Sequence, residues 1–403
     1  MTSAGDIRNA RGRIRNDLVL TPCTESLAFD DLAPCRLFIK LENLHRTGSF
    51  KERGALNKLL QLTAEEKQRG VVTASAGNHG RGLAFHADRL GIPATVVMPV
   101  TTPLIKSSRT EAYGARVVLH GAGYDEAWEK ARRLGEEEGT AVVHAFDDEA
   151  VIAGQGTIAL ELQEQLDEID TVLVPIGGGG LISGISLGLK DRNPSIRVVG
   201  VEATAAPKAR ASLLEDEVVR IDGSDSIADG IAVKQLGEHT FPVIRELVDE
   251  VVTVSEDEIA TAILLLLERE KTVAEGAGAV PLAALIGSQV EVDPDETVVL
   301  VLSGGNIDVN MISRIIDRGL VADGRLARLM VKVPDRPGSL QTLSRITGDL
   351  GANVLEIHHR RAFADISMGD AEVVMHLETR GQDHVMAVIR ALEAEGLHVE
   401  EDL

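Results

Sequence analysis

The residues best placed to do chemistry in this 403-residue chain lie between 46 and 54, which read Arg-Thr-Gly-Ser-Phe-Lys-Glu-Arg-Gly. Lys51 follows a small Thr-Gly-Ser turn and heads a helix-compatible run from Glu52 to Leu62. A lysine held out of water at such a place loses its charge and becomes a nucleophilic amine able to form a Schiff base. Most lysines do nothing of the kind and stay solvated at the surface. Three further segments shift that reading: TASAGNHGRG at 73–82, VPIGGGGLISG at 174–184 and VLVLSGGN at 299–306. Each follows a strand-like apolar run, and the first two lead into helix-compatible sequence. In open α/β sheets, ligands bind beyond the carboxyl ends of the strands, where such loops gather.

The loop Gly177-Gly178-Gly179-Gly180-Leu181 lies between a buried strand and a helix beginning near Leu181. Its backbone N–H groups and the helix dipole suit a phosphate without any basic side chain. A nucleotide phosphate is the obvious competitor. However, 177–184 lacks Gly-x-Gly-x-x-Gly spacing and no Gly-Lys-Ser/Thr follows, so neither a dinucleotide fingerprint nor a P-loop is matched.

The elements that must position these loops follow from periodicity. Through residue 320, apolar strand-like runs alternate with helix-like stretches, as in GVVTASA then GNHGRGLAFHADRLG, and DTVLVPI then GLISGISLGLK. That alternation predicts parallel sheet flanked by helices on both faces, an α/β class. Gly91-Ile92-Pro93 and Gly114-Ala115-Arg116 supply the stop and start punctuation between units. After the linker-like stretch at 319–327 the pattern changes to strand, helix, two strands, helix and strand, a ferredoxin-like βαββαβ order.

Taken together, TP at 21–22, KLENLHRTGSFKERGA at 40–55, ASAGNHG at 74–80, AGQGTIALE at 153–161, GGGGL at 177–181, IADGIAV at 227–233, EGAGA at 275–279 and SGGN at 303–306 carry a family resemblance. The chain resembles the pyridoxal-phosphate enzymes of fold type II, the tryptophan-synthase-β group, and within it the threonine dehydratase (threonine ammonia-lyase) branch. The C-terminal module resembles the ACT regulatory domain. The resemblance implies a catalytic region at 1–320, with a smaller subdomain at about 47–150 and a larger one formed by 1–46 and 151–320. A linker at 321–327 and an ACT-like domain at 328–403 complete the expected organisation.

The resemblance also assigns roles. Lys51 would hold the aldehyde of pyridoxal 5'-phosphate, with Phe50 beside the ring. Gly177, Gly178, Gly179, Gly180 and Leu181 would cradle the phosphate. Asn78 would bond the phenolic oxygen, and Ser75 with the N–H groups of Ala76 to His79 would take the substrate carboxylate. Ser303 would face the pyridine nitrogen, where a hydroxyl, unlike a carboxylate, gives no strong reason for protonation and so favours expulsion of a β-leaving group over transamination. Gly230 and Glu275 would lie close to the ring. His79 would pack and not act as an acid or base.

The activity so implied is β-elimination from L-threonine to 2-oxobutanoate and ammonia, and from L-serine to pyruvate. Serine racemase or serine dehydratase of the same fold is the alternative. Racemases of this group place a serine where this chain has Ala76, and an acidic cation ligand near Lys208, so racemisation and a metal site are both disfavoured. From other classes, a nucleotide-dependent oxidoreductase and a non-catalytic amino-acid sensor stay open, although retention of Lys51, Asn78 and Ser303 argues against decay. The Asp335-Arg336-Pro337-Gly338-Ser339-Leu340 turn matches the loop where such modules bind an amino acid, isoleucine or valine in a biosynthetic enzyme or another effector in a catabolic one. A purely structural dimerisation module is the alternative, and a homodimer or homotetramer is implied by resemblance alone.

Composition sets the outer bounds. The formal charge is −22 and the isoelectric point about 4.9, which excludes nucleic acid and anionic membranes as partners. Arg outnumbers Lys 30 to 11 against 63 acids, which suits a high-salt habitat as well as an ordinary acidic cytosolic protein. No run of about 18 apolar residues appears, and the first residues lack a signal-like apolar stretch, so a cytoplasmic enzyme is expected. Cys23 and Cys35, without metal-type spacing, are expected as two buried, reduced thiols.

Overall fold

Short β-branched runs separated by helices build two separate sheets in the first of two units, Met1–Ile307; the second unit is Asp308–Leu403. The computed structural model describes residues 1–222, 225–361, 367 and 369–401. In the first unit the strands are β1 Cys23–Glu25, β2 Arg36–Leu41, β3 Val71–Ala74, β4 Ala94–Met98, β5 Arg116–Leu119, β6 Ala141–Val142, β7 Thr171–Pro175, β8 Arg197–Ala203, β9 Glu250–Val254 and β10 Thr297–Leu302. The smaller sheet has the order β5-β4-β3-β6 and is parallel throughout. The larger has the order β1-β2-β10-β7-β8-β9. It is parallel apart from β1, which returns antiparallel to β2 because residues 26–35 turn the chain back without a crossover helix.

Alternation along each strand decides the layering. Val71, Val96 and Met98 face one core with Leu59 and Leu83, while Val72, Ala74 and Val97 face another with Ala127, Ala131 and Leu134. In the larger sheet, Val172 and Val174 share a core with Phe38, Val299, Val301 and Ile185. Leu173, Val199 and Leu300, which alternate with the residues of that core, are buried as well, so both sheets are apolar on both faces, as parallel sheets require. Each buried Val, Leu, Ile, Phe or Met among them contributes roughly 1.5–3 kcal/mol through burial, and each alanine less.

Three helices lock the two sheets together at glycine contacts. Lys51–Gln61 and Gly180–Arg192 both pack on the long helix Glu149–Gln165. A Cβ on Gly154 would lie 2.6 Å from Gly54 Cα, and one on Gly184 would lie 2.6 Å from the Gly156 nitrogen. These backbones approach so closely that only glycine fits. The AGQGTIALE segment thus has a packing explanation.

In the second unit, β11 Leu326–Pro334, β12 Asn353–Arg360, β13 Asp370–Glu378 and β14 His398–Glu401 form an antiparallel sheet of order β12-β13-β11-β14. Helices Ser339–Asp349 and Gln382–Ala394 complete the expected βαββαβ order, with Leu343, Ile346, Val385 and Val388 in the core. Residues 321–327, expected as a linker, are instead the end of helix Val309–Ala322, a turn with Gly324 at φ +65° and the start of β11. Asp308 caps that helix through Asn310 N, and the division between units falls ahead of it at 307/308.

Cys23 opens β1 and Cys35 precedes β2; both are free and half-buried, and not fully buried as expected. Burial still pushes their thiols up to about 12 and about 11. No helix among the described residues is long and apolar enough to cross a membrane.

Candidate active site

Lys51 is the first residue of its helix, and the turn before it is stitched to the end of β10. The Phe50 N–H donates to the Ser303 carbonyl at 3.0 Å, and Ser49 bridges to Gly304. The Lys51 Nζ donates to the Ala145 carbonyl at 2.8 Å and lies 5.1 Å from the centre of the Phe50 ring. Burial lowers its pKa to about 8, against the opposing pull of the Glu275 charge. A desolvated amine of this kind is partly neutral near physiological pH, which is what a Schiff-base lysine needs.

The helix itself is held from behind by buried charge. The Arg53 guanidinium grips both Glu42 (2.7 and 2.8 Å) and Glu161 (2.7 and 2.8 Å). Lys40 donates to Glu161 at 2.8 Å, and His45 lies 3.0 Å from Glu42. Glu52 accepts from the Thr47 N–H and sits 3.2 Å from the His86 ring, so the turn before Lys51 is fixed as well.

Opposite the lysine, three polar side chains close a circuit. Asn78 Nδ2 donates to Glu275 Oε1 at 2.6 Å, the Asn306 N–H donates to Glu275 Oε2 at 3.2 Å, and Asn306 Nδ2 donates to Asn78 Oδ1 at 2.8 Å. A second bond from Asn306 Nδ2 reaches the Thr47 carbonyl at 2.7 Å. Burial, with the Asp229 charge, raises Glu275 to about 7, although the Asn78 and Asn306 bonds pull the other way. The Asn78 amide is thereby oriented, with one N–H left to donate elsewhere.

The glycine loop is shaped by what presses on it. A side chain on Gly178 would enter the Phe146 ring, and a Cβ on Gly180 would lie 2.8 Å from the Phe146 carbonyl. Gly179 has φ +95° and caps helix Gly180–Arg192, which starts one residue before the expected Leu181. Thr240 Oγ1 donates to the Gly178 carbonyl at 2.7 Å. Phe146 is next to Ala145, so the segment that receives the Lys51 amine also underlies the loop. Behind it, His144 accepts from the Asp147 N–H at 2.8 Å and meets the Trp128 ring edge-on at 4.5 Å.

These residues fit pyridoxal phosphate. The loop leaves no space for side chains, and the opening N–H groups of the helix have no intrahelical acceptor, which makes an anion cradle. Helix Asn78–Arg89 likewise starts without a side-chain cap, at Gly77, whose N–H reaches Ser75 Oγ at 3.2 Å. Ser303 is 2% exposed at the carboxyl end of β10.

The structure brings Lys51, Phe50, Asn78, Glu275, Ser303 and Gly230 into one neighbourhood. A Cβ on Gly230 would approach Glu275 Oε1 to 3.7 Å, and one on Gly304 would strike the same carboxylate. Leu181 belongs only by its backbone, because its side chain is in the core with Ile182 and Ile185. His79 is 2% exposed, and burial with the Lys51 and His144 charges pushes it down to about 3, so its ring is neutral. Two participants have no role in the sequence reading: Asn306, present there only as the last letter of SGGN, and the Ala145 carbonyl, which leaves no sequence signal.

Residues 14–304 match the family described as pyridoxal-phosphate dependent enzyme. The chain is 47% identical over 399 residues to an L-threonine ammonia-lyase of Thermotoga maritima, covering 99% of each chain. Among solved structures it is similar to the processed form of threonine deaminase isoform 2 from Solanum lycopersicum, at 37% identity and a TM-score of 0.73 over 78% of this chain and 91% of that one. It is also similar to a serine racemase from Dictyostelium discoideum, at 38% identity and a TM-score of 0.72 over 76% of this chain and 99% of that one.

Proposed function

Since the chain belongs to the pyridoxal-phosphate dependent enzymes, we propose that it is an L-threonine ammonia-lyase, converting threonine to 2-oxobutanoate and ammonia and acting on L-serine as a second substrate. The observation that carries the chemistry is the Lys51 amine, half-buried, lowered to about 8 and held 2.8 Å from the Ala145 carbonyl. The choice of threonine is supported by the full-length likeness to the Thermotoga maritima enzyme.

Bound pyridoxal phosphate supplies an aldehyde for the amino group and an electron sink that makes the α-proton acidic. Lys51 would hold the aldehyde at rest and, once displaced by substrate, take the α-proton on its neutral Nζ. The N–H groups of Gly177 to Leu181 would hold the phosphate. The free N–H of Asn78, aimed by Glu275 and Asn306, would donate to the ring oxygen. The uncapped start of helix Asn78–Arg89, with Ser75, would bind the substrate carboxylate and so orient the Cα–H bond. Ser303 would present a neutral hydroxyl to the ring nitrogen. Ala76 puts no hydroxyl on the opposite side of the substrate, so a second proton donor is missing and elimination is preferred to racemisation.

The second unit would bind an amino-acid effector at the Asp335–Leu340 turn. Gly338 at φ +99° opens helix Ser339–Asp349, and Asp335 pairs with Arg361 at 2.8 Å. A cytoplasmic homodimer or homotetramer is the assembly we favour, paired through this unit.

Ammonia release measured with each amino acid, with and without isoleucine, tests the reading. Threonine should give the higher kcat/KM and isoleucine should lower the rate; a preference for serine would overturn the threonine assignment. Lys51→Ala should lose both turnover and the visible absorbance of the bound cofactor. Measurable turnover in that variant would remove Lys51 from the mechanism.

A further inference from the structure

Residues 144–148 carry the chain from the smaller sheet to the long helix Glu149–Gln165, and three of them grip different parts of the site. Pairing with β3 ends at Val143, whose N–H donates to the Val72 carbonyl at 2.9 Å and whose carbonyl accepts from Thr73 Oγ1 at 2.7 Å. Beyond it, the Ala145 carbonyl accepts from Lys51 Nζ, and Phe146 presses on Gly178 and Gly180. Asp147 takes hold of a third segment, its carboxylate accepting from the N–H groups of His239 at 2.8 Å and Glu238 at 3.0 Å. That segment reaches back to the glycine loop, where the Gly237 N–H donates to the Gly178 carbonyl at 3.1 Å.

A single side chain holds this turn in shape. His144 Nδ1 accepts from the N–H groups two and three residues ahead, Phe146 at 3.3 Å and Asp147 at 2.8 Å. Asp148 repeats the pattern, its Oδ1 accepting from Ala150 at 2.8 Å and Val151 at 3.1 Å. Short acceptor side chains that bond the backbone just ahead of them fold the chain into a turn. A histidine can do so only through an unprotonated Nδ1, which places its proton on Nε2. Burial lowers the ring to about 4 despite the nearby Asp147 charge, so Nδ1 stays free to accept. The competing explanation is packing, since the imidazole also meets the Trp128 and Phe146 rings edge-on, each at 4.5 Å.

We propose that His144 is a positioning residue acting through Nδ1: by accepting from two backbone N–H groups it sets the 145–147 turn, which ties the carbonyl facing Lys51 to the glycine loop, and so governs how firmly the cofactor is held. The consequence for the cofactor rests on the reading that Lys51 and residues 177–181 hold it. Hydrogen bonding and packing differ over which replacement is harmless.

The test compares the full-length wild type with His144→Asn, His144→Phe and His144→Leu. Asparagine loses the ring but keeps an acceptor of the reach that Asp148 displays. Phenylalanine keeps a ring without the acceptor, and leucine lacks both. Escape of pyridoxal phosphate from the holoenzyme, followed by its visible absorbance, should be at least about tenfold faster in His144→Phe and His144→Leu, as loss of two backbone hydrogen bonds implies, and within about threefold of the wild type in His144→Asn. Deuterium uptake at the Phe146 and Asp147 amides of the cofactor-free protein should follow the same order, fast in the Phe and Leu variants and slow in the other two. This second readout involves neither cofactor nor turnover, so it judges the turn by itself; a wild type that binds no pyridoxal phosphate, with the exchange order intact, would refute the cofactor reading and leave the turn standing. The proposal is overturned if His144→Phe keeps its cofactor or its amide protection like the wild type, or if His144→Asn is as impaired as His144→Leu. Should one apolar variant fail to fold, His144→Asn against the other decides.

Discussion

At Lys51 and Glu275 the burial that shapes the site also sets its response to pH. With Lys51 lowered to about 8, the cofactor-free protein should capture pyridoxal phosphate faster as pH rises. The rate should climb about tenfold per unit below 8 and flatten above it. Stopped-flow absorbance between pH 6 and 10 reads this directly, and a profile flat across pH 8 would contradict it. Linkage gives the stability signs. Lys51 binds its proton less well folded than unfolded, so the cofactor-free fold gains stability as pH rises from about 8 to the ordinary lysine value. Glu275, raised to about 7, does the reverse, and stability falls as pH climbs from the ordinary carboxylate value to 7. That slope, at most about 1.4 kcal/mol per pH unit, should vanish in Glu275→Gln when urea midpoints are compared at pH 5 and 7. The residues of this circuit were unequally legible. Asn78 and Glu275 stand in recognisable motifs. The part played by Asn306 depends on a partner 228 positions away, and no local pattern encodes that.

At the scale of elements, three helices meet where side chains are excluded. Gly154→Ala places a methyl against Gly54 Cα and should destabilise by about 1–3 kcal/mol, seen as a lower urea midpoint. Because Gly54 is one turn from Lys51, cofactor affinity should fall with it. Arg53→Met tests the charge behind the same helix. It leaves Glu42 and Glu161 buried without their main counter-charge and should cost about 3–5 kcal/mol. A midpoint like the wild type would show that Lys40 and His45 suffice. The alternating runs made most strands and helices readable. The antiparallel β1 was not, because three residues carry no periodicity. The end of helix Val309–Ala322 was misread for another reason: the Gly319 and Gly324 punctuation resembles a linker, whereas the helix's apolar residues recur at helical spacing from Val309 onward.

At the scale of the whole molecule, the charge of −22 must be reconciled with compactness. Raising potassium chloride to about 1 M shortens the screening length to about 3 Å. If self-repulsion limits stability, the melting temperature should rise steadily with salt; a chain indifferent to salt would be an ordinary acidic protein. The same titration in sodium chloride separates screening from any specific potassium effect.

One further consequence follows from the edge-on pair of Trp128 and His144. The chain carries a single tryptophan, and it stands two rings from the carbonyl that receives the reactive amine. Indole emission from this protein is therefore a label-free gauge of occupancy: a vitamin chromophore bound nearby should quench it, and its departure should brighten it. Binding and pH capture can both be followed through that one intrinsic lamp.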